Sequence, residues 1–213
     1  MDISAFLVAF ATLFATVGVA DIAFIFAALT KDNTPAQRRT FATRGVVVAL
    51  LILLFFAFLG NLILDVFGIT IPALRTAGGV LLLLIAIDMV FARHSGGTGT
   101  TDEEESEARQ AHDISVFPLA MPLLAGPGAI SAVILLTTGA ESQTEFWLVI
   151  AAIIVILALA WLTLLVAIPI QRLLGLTGLS VVSRVVGILL AALAVQFVFD
   201  GIKASGLLGA AAT

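Results

Sequence analysis

The sequence predicts an all-α, polytopic membrane protein with six transmembrane helices, built as two inverted three-helix repeats with discontinuous helices 1 and 4. Three observations carry this expectation. Apolar residues make up 61% of the 213 residues, charged residues only 11%, and the mean hydropathy is +1.20, beyond the range of a soluble domain of this length. Six windows, 5–29, 45–67, 72–92, 116–138, 146–170 and 181–202, each supply the roughly 20 apolar residues that a bilayer crossing needs. Finally, the stretches 18–30 and 126–138 share an opening Gly (Gly18, Gly126), an Ile four positions on (Ile22, Ile130) and a closing Thr (Thr30, Thr138), all at one offset of 108.

The first span carries Asp21 in its apolar interior. An ionised Asp there costs about 2.5 to 3.5 kcal/mol on insertion scales, and the span holds no Lys or Arg to pair with it. Asp21 is therefore expected to face a polar cavity, to be protonated, or to find a partner on another helix. Coupling to protons or a monovalent cation, contact with a substrate amine, and a purely structural hydrogen bond all fit this pattern. The start Met1-Asp2-Ile3-Ser4 has no basic stretch, so the first apolar run reads as a retained span and not as a cleaved signal.

The loop that follows contains Thr34-Pro35 ahead of Ala36-Gln37-Arg38-Arg39, a helix start in which Pro occupies the first turn and the Arg pair holds topology. The second span closes near Asn61 and Asp65, and Trp147 and Trp161 read as belt or packing residues. The third span opens on Arg75 and carries Asp88 near its end; the sixth opens after Arg184 and carries Gln196 at a matching place. Asp88 and Gln196 are candidates to line a shared pathway. Arg75 and Arg184, opening equivalent spans on opposite faces, are candidates for gating beside the simpler role of snorkelling anchors.

Between the halves, residues 94–115 collect Gly, Ser and Thr followed by Asp102, Glu103, Glu104, Glu105 and Glu107, the composition of a solvated, disordered acidic linker. It separates a first repeat, 1–93, from a second, 116–213. The net charge of -4 resides mostly in this linker. Because each half has three spans, the second must enter the bilayer from the opposite face, which relates the halves by a pseudo-two-fold axis in the membrane plane. Lys31, Arg38, Arg39, Arg44, Arg93, Arg109, Arg172 and Arg184 share one side and only Arg75 and Lys203 the other. This bias places the richer side in the cytoplasm and both termini outside.

The fourth span is the least regular. Pro118, Pro122 and Pro127 stand with Gly126 and Gly128 within one span, and each internal Pro removes a backbone donor. Backbone groups freed at that depth must face protein or a wet cavity, since lipid satisfies none of them. A half-helix starting after Gly128 aims its amides at an anionic group such as a carboxylate. The candidate binding set is Gly18, Asp21, Pro122, Gly126, Pro127, Gly128, Ser131 and Gln196, with Asp21, Asp88, Arg75 and Arg184 as coupling or gating candidates.

Other chemistries lack support. No Cys is present, so disulfides and thiolate metal sites are excluded. Both histidines, His94 and His112, fall in the linker, and no catalytic motif, metal-binding set or cofactor motif is visible. No basic patch suggests nucleic acid. The partners expected are a substrate, a coupling proton or monovalent cation and the lipid bilayer, with a homo-oligomer left open.

Three segments together give a family resemblance: Phe67-Gly68-Ile69-Thr70-Ile71-Pro72-Ala73-Leu74-Arg75-Thr76-Ala77-Gly78-Gly79; Pro118-Leu119-Ala120-Met121-Pro122 with Ala125-Gly126-Pro127-Gly128-Ala129-Ile130; and Arg184, Gly187, Gln196-Phe197 and Asp200-Gly201-Ile202. At these residues the chain resembles the MarC family of six-span bacterial inner-membrane proteins. The resemblance implies a multi-pass plasma-membrane protein that moves small neutral amino acids, with export one direction open to it. Family members usually carry Asn-Pro in the first span, where this chain has Gly18-Val19, so a gentler break in helix 1 is expected. A passive small-solute channel or a non-transporting membrane scaffold is the alternative reading.

Overall fold

In the computed structural model the described residues are 3–30, 33–91 and 113–206, and inside the helices the side chains at 3, 20, 21, 24, 28, 168, 170–180, 182 and 183 lie outside the description. Residues 92–112, which include most of the acidic linker 94–115, are outside it too, as is the side chain of Asp21. Among the described residues every regular element is helical.

In chain order, α1 (Ile3–Val17) and α2 (Val19–Leu29) meet at Gly18, whose φ of 62° and ψ of 48° are left-handed. A residue with a Cβ pays about 1–2 kcal/mol for that conformation, so Gly18 is where the first span breaks. Helix α3 (Pro35–Phe67) starts from a capping box: the Thr34 hydroxyl accepts from the Gln37 amide at 3.3 Å while Gln37 Oε1 accepts from the Thr34 amide at 2.9 Å. Gly68, at φ 65°, ends it, and α4 (Ile71–Phe91) follows.

The stretch Ser115–Leu124 is not a regular helix. Phe117 and Met121, each preceding a proline joined by a cis peptide, adopt extended φ/ψ, the conformation that a following Pro favours. Its turns are wide, with the Leu119 amide donating to Ile114 O at 3.1 Å and the Ala125 amide to Ala120 O at 2.8 Å, both across five residues. Helix α5 (Pro127–Thr138) then departs at 55°. Helix α6 (Gln143–Leu165) is capped by Ser142, which accepts from the Glu145 amide at 3.2 Å, and after a break at Val166 the chain continues as α7 (Ala167–Ala204).

Four of these helical stretches are long and apolar enough to cross a membrane: Pro35–Phe67, Ile71–Phe91, Gln143–Leu165 and Arg184–Ala204. The bent pair Ser115–Leu124 and Pro127–Thr138 makes a fifth if taken as one span. Leu51, Phe58, Leu84, Ile154, Ile188 and Phe199 project from them exposed, as side chains facing lipid do.

One core joins α1, α2, α3, the Ser115–Leu124 stretch, α5 and α6; a second, around Leu82, Ile85, Ala86, Leu190 and Ala194, joins α4 to α7. The contacts recur in matched pairs. Helix α1 packs on α6 as the Ser115–Leu124 stretch packs on α3, α2 packs on α7 as α5 packs on α4, and α2 packs on α6 as α5 packs on α3. The α4–α7 pair shows the match residue by residue. A Cβ on Gly79 would lie 2.7 Å from Ala194 O and 2.8 Å from Val198 Cγ2, and one on Gly187 would lie 3.2 Å from Ala86 O and 3.1 Å from Val90 Cγ2. Residues 79 and 187, 86 and 194, and 90 and 198 are each separated by the same 108 positions as Gly18 and Gly126.

Candidate functional site

The two interrupted spans meet inside the first core, where Val17, Val19, Ala125 and Ala129 are buried together. Each inner half-helix begins at a glycine with no side-chain cap. At the first, Gly18 O accepts from the Ile22 amide at 3.0 Å; at the second, Gly126 O accepts from the Ile130 amide at 3.0 Å. Each ends on a threonine that folds back in the same way, Thr30 Oγ1 donating to Phe26 O and Thr138 Oγ1 to Ile134 O, both at 2.7 Å.

The second break is the better defined. Pro127 brings no N–H to the first turn of α5, and neither the Gly128 nor the Ala129 amide has an acceptor among the described residues, although both residues are buried. Two donors at a helix N-terminus, carrying its partial positive charge, suit a carboxylate. Crowding requires glycine at 126, where a Cβ would run into the Pro122 carbonyl, whereas a Cβ on Gly128 would meet the end of the Ile85 side chain, which must turn aside. Ser131, one turn into α5, is half-buried, and its hydroxyl has no partner among the described residues. Pro122 is half-buried and Pro127 exposed.

Arginines stand at the far ends of both half-helices. Arg38 Nε donates to Thr30 O at 2.9 Å, closing the C-terminus of α2. Arg75, half-buried, places its guanidinium beside Gly139 at the C-terminus of α5, 3.2 Å from where a Cβ would sit. Both charges favour the negative end of a helix dipole. Sequence reasoning gave Arg38 only a topological role; its spacing of eight residues from Thr30, across the connection from α2 to α3, carries no signal for this bond.

The remaining candidates are dispersed. Asp88 is half-buried on α4 and engaged there, Arg184 is exposed, and Gln196 is exposed with Nε2 donating to Asp200 Oδ1 at 2.9 Å along its own helix. At the start of the irregular stretch, Asp113 accepts from the Ser115 hydroxyl and amide and pairs with Arg44 Nη1 at 3.1 Å. The Ser115 bonds above all hold its carboxyl below the usual value, with Arg44 adding to them against the opposing effect of burial. Leu119 of the same stretch fills the space that a Cβ on Gly45 would take, 2.6 Å from its Cδ2. The Arg44 link joins residues 69 apart, so no local pattern announces it.

Fold and site together define a multi-pass α-helical membrane protein with a helix broken at glycine and proline. The family follows from comparison with known proteins: residues 3–205 match the model of the MarC family integral membrane proteins, and the chain belongs to that family. It is 37% identical to a UPF0056 membrane protein of Methanocaldococcus jannaschii over 95% of this chain and 98% of that one. It is likewise 38% identical to the UPF0056 membrane protein YhcE of Escherichia coli, covering 91% and 90% of the two chains, and 35% identical to YvbG of Bacillus subtilis, covering 84% and 85%. No solved structure matches the chain.

Proposed function

We propose that this protein is a secondary transporter that carries small neutral amino acids across the plasma membrane, an exporter in one direction of operation, by alternating access between two inverted three-helix halves. Counting α1 with α2 as one broken span gives the six spans of that design. The observation that carries the reading is the pair of amides at the buried residues Gly128 and Ala129, without acceptors among the described residues, set at a helix break whose counterpart at Gly18 repeats its backbone hydrogen bond 108 residues earlier. Broken helices in corresponding halves are where such transporters bind substrate.

In this reading the substrate carboxylate meets the α5 N-terminus, with Gly126, Pro127 and Gly128 shaping the break and Ser131 offering a hydroxyl. Asp21 on α2 receives the amine or a coupling proton or monovalent cation. Leu82 and Ile85 stand against Gly128, and an apolar surround of this kind suits a small, uncharged side chain. The reciprocal packing of Gly79 and Gly187 supports the inverted relation, because a two-fold contact repeats itself with the partners exchanged. Arg75, Asp88 and Arg184 then act at the ends of the pathway, and Gln196, bonded to Asp200 on an exposed helix face, is left out of the binding set.

Counterflow in proteoliposomes across a panel of amino acids tests this directly. Saturable exchange of glycine, alanine, serine or threonine, lost in Asp21→Asn, is expected. Current without saturation or counterflow would make the protein a channel, and no flux with any substrate would make it a scaffold.

A further inference from the structure

Away from the central breaks, a cavity of about 440 Å³ opens where the α5–α6 connection meets α3. Its walls include Phe58 of α3, Thr137 of α5, Glu141 of the connection, and Phe146 and Trp147 of α6. The three rings are mutually inclined: Phe58 and Phe146 lie 5.5 Å apart at 58°, Phe146 and Trp147 5.6 Å at 84°, and Phe58 and Trp147 6.4 Å at 66°. Rings set at such angles turn their faces in three directions, so the cavity has an aromatic corner and not a flat stack.

Several of the polar groups around it are already engaged. The Thr137 hydroxyl donates to Val133 O at 2.8 Å, Ser142 caps the Glu145 amide at 3.2 Å, and Glu145 Oε2 accepts from the Glu141 amide at 2.7 Å. Glu141 is the one acid that lines the cavity, its carboxylate and the Gln143 side chain are without a partner among the described residues, and no Lys or Arg lines the cavity. Aromatic faces and a carboxylate share one preference, for positive charge. A hard metal ion needs six or more oxygen ligands, and no group of three acidic, His or Cys side chains suited to a metal exists among the described residues.

From this we infer that the cavity binds an organic ammonium group, held against the aromatic corner of Phe58, Phe146 and Trp147 and neutralised by Glu141. Its size suits a small amine or an ammonium-bearing lipid headgroup, and exposed Phe58 and Trp147 leave it open to both. The site stands apart from the helix breaks, so it does not depend on the transport reading.

The test is a titration of the full chain in detergent with tetramethylammonium chloride, following Trp147 emission in a Trp161→Phe background with sodium chloride as ionic control. A saturable change is expected, weakened about tenfold in Glu141→Gln and similarly in Phe58→Leu. A response that does not saturate, or that is the same in Glu141→Gln, would overturn the proposal. Repeating the titration in nanodiscs separates the sources. Suppression by phosphatidylethanolamine but not phosphatidylglycerol assigns the site to a lipid headgroup, and equal responses in both assign it to a free amine.

Discussion

Two adjacent glycines on α4 should respond in opposite ways to the same substitution. A Cβ on Gly79 would stand 2.7 Å from Ala194 O and 2.9 Å from Val198 N, both backbone atoms of α7, so no side-chain rotation relieves it. Restoring ordinary contact requires the helices to part by roughly 0.7 Å locally, a gap that forfeits about a quarter to a half of each affected dispersion contact. Overpacking of this kind costs about 1–3 kcal/mol, against the about 0.5–1 kcal/mol that Ala gains over Gly within a helix. Gly79→Ala is therefore expected to destabilise by roughly 1–2 kcal/mol. Gly78→Ala meets only Leu135 Cδ2 at 3.9 Å and should keep the propensity gain, a stabilisation of about 0.5–1 kcal/mol. Thermal unfolding in detergent should separate the two variants by about 4–8 °C, at roughly 2–4 °C per kcal/mol for a chain of this size. Gly187→Ala, with its nearest contact 2.9 Å from Met89 Cβ, should fall between them. Equal behaviour of the two adjacent variants would refute the α4–α7 packing.

Gly18→Ala should cost about 1–2 kcal/mol through the left-handed backbone, read as a lower melting temperature. Thr34→Ala removes the capping box of α3 and should cost about 1 kcal/mol, read as earlier unfolding on the same thermal ramp. For Asp113 the sign follows from its lowered pKa. Its stabilisation is complete above the unfolded carboxyl value, about pH 4, and disappears as pH falls through the lower folded value. Both partners of the ion pair are well exposed, at 64% and 46%, so Asp113→Asn should cost under about 1 kcal/mol near neutral pH, and the difference between variant and parent should vanish in acid.

The long spans were legible because a bilayer imposes a length and a polarity that hydropathy reads directly, as in Pro35–Phe67 and Gln143–Leu165. The second break was legible from Gly126, Pro127 and Gly128, whose chemistry forbids a continuous ladder. The first was expected to be gentle without Asn-Pro, yet Gly18 takes a left-handed conformation that interrupts the helix by itself. Phe117 and Met121 also carried a readable signal, each standing before a proline. What sequence did not disclose depends on which faces meet. Gly45, Gly79 and Gly201 look like ordinary small residues until Leu119, Ala194 and Thr76 are brought against them, and Arg44 finds Asp113 only through the packing of α3 on the irregular stretch.

The central claim, two inverted halves opening a shared pocket to one side at a time, is tested most directly by thiol accessibility. The chain has no Cys, so Ser131→Cys and its counterpart Ala23→Cys report without background. Labelling by a membrane-impermeant reagent should reach each position from one side at a time, with a transported amino acid shifting the balance between sides. Labelling from both sides of one locked population would contradict the account, as would complete protection under every substrate condition.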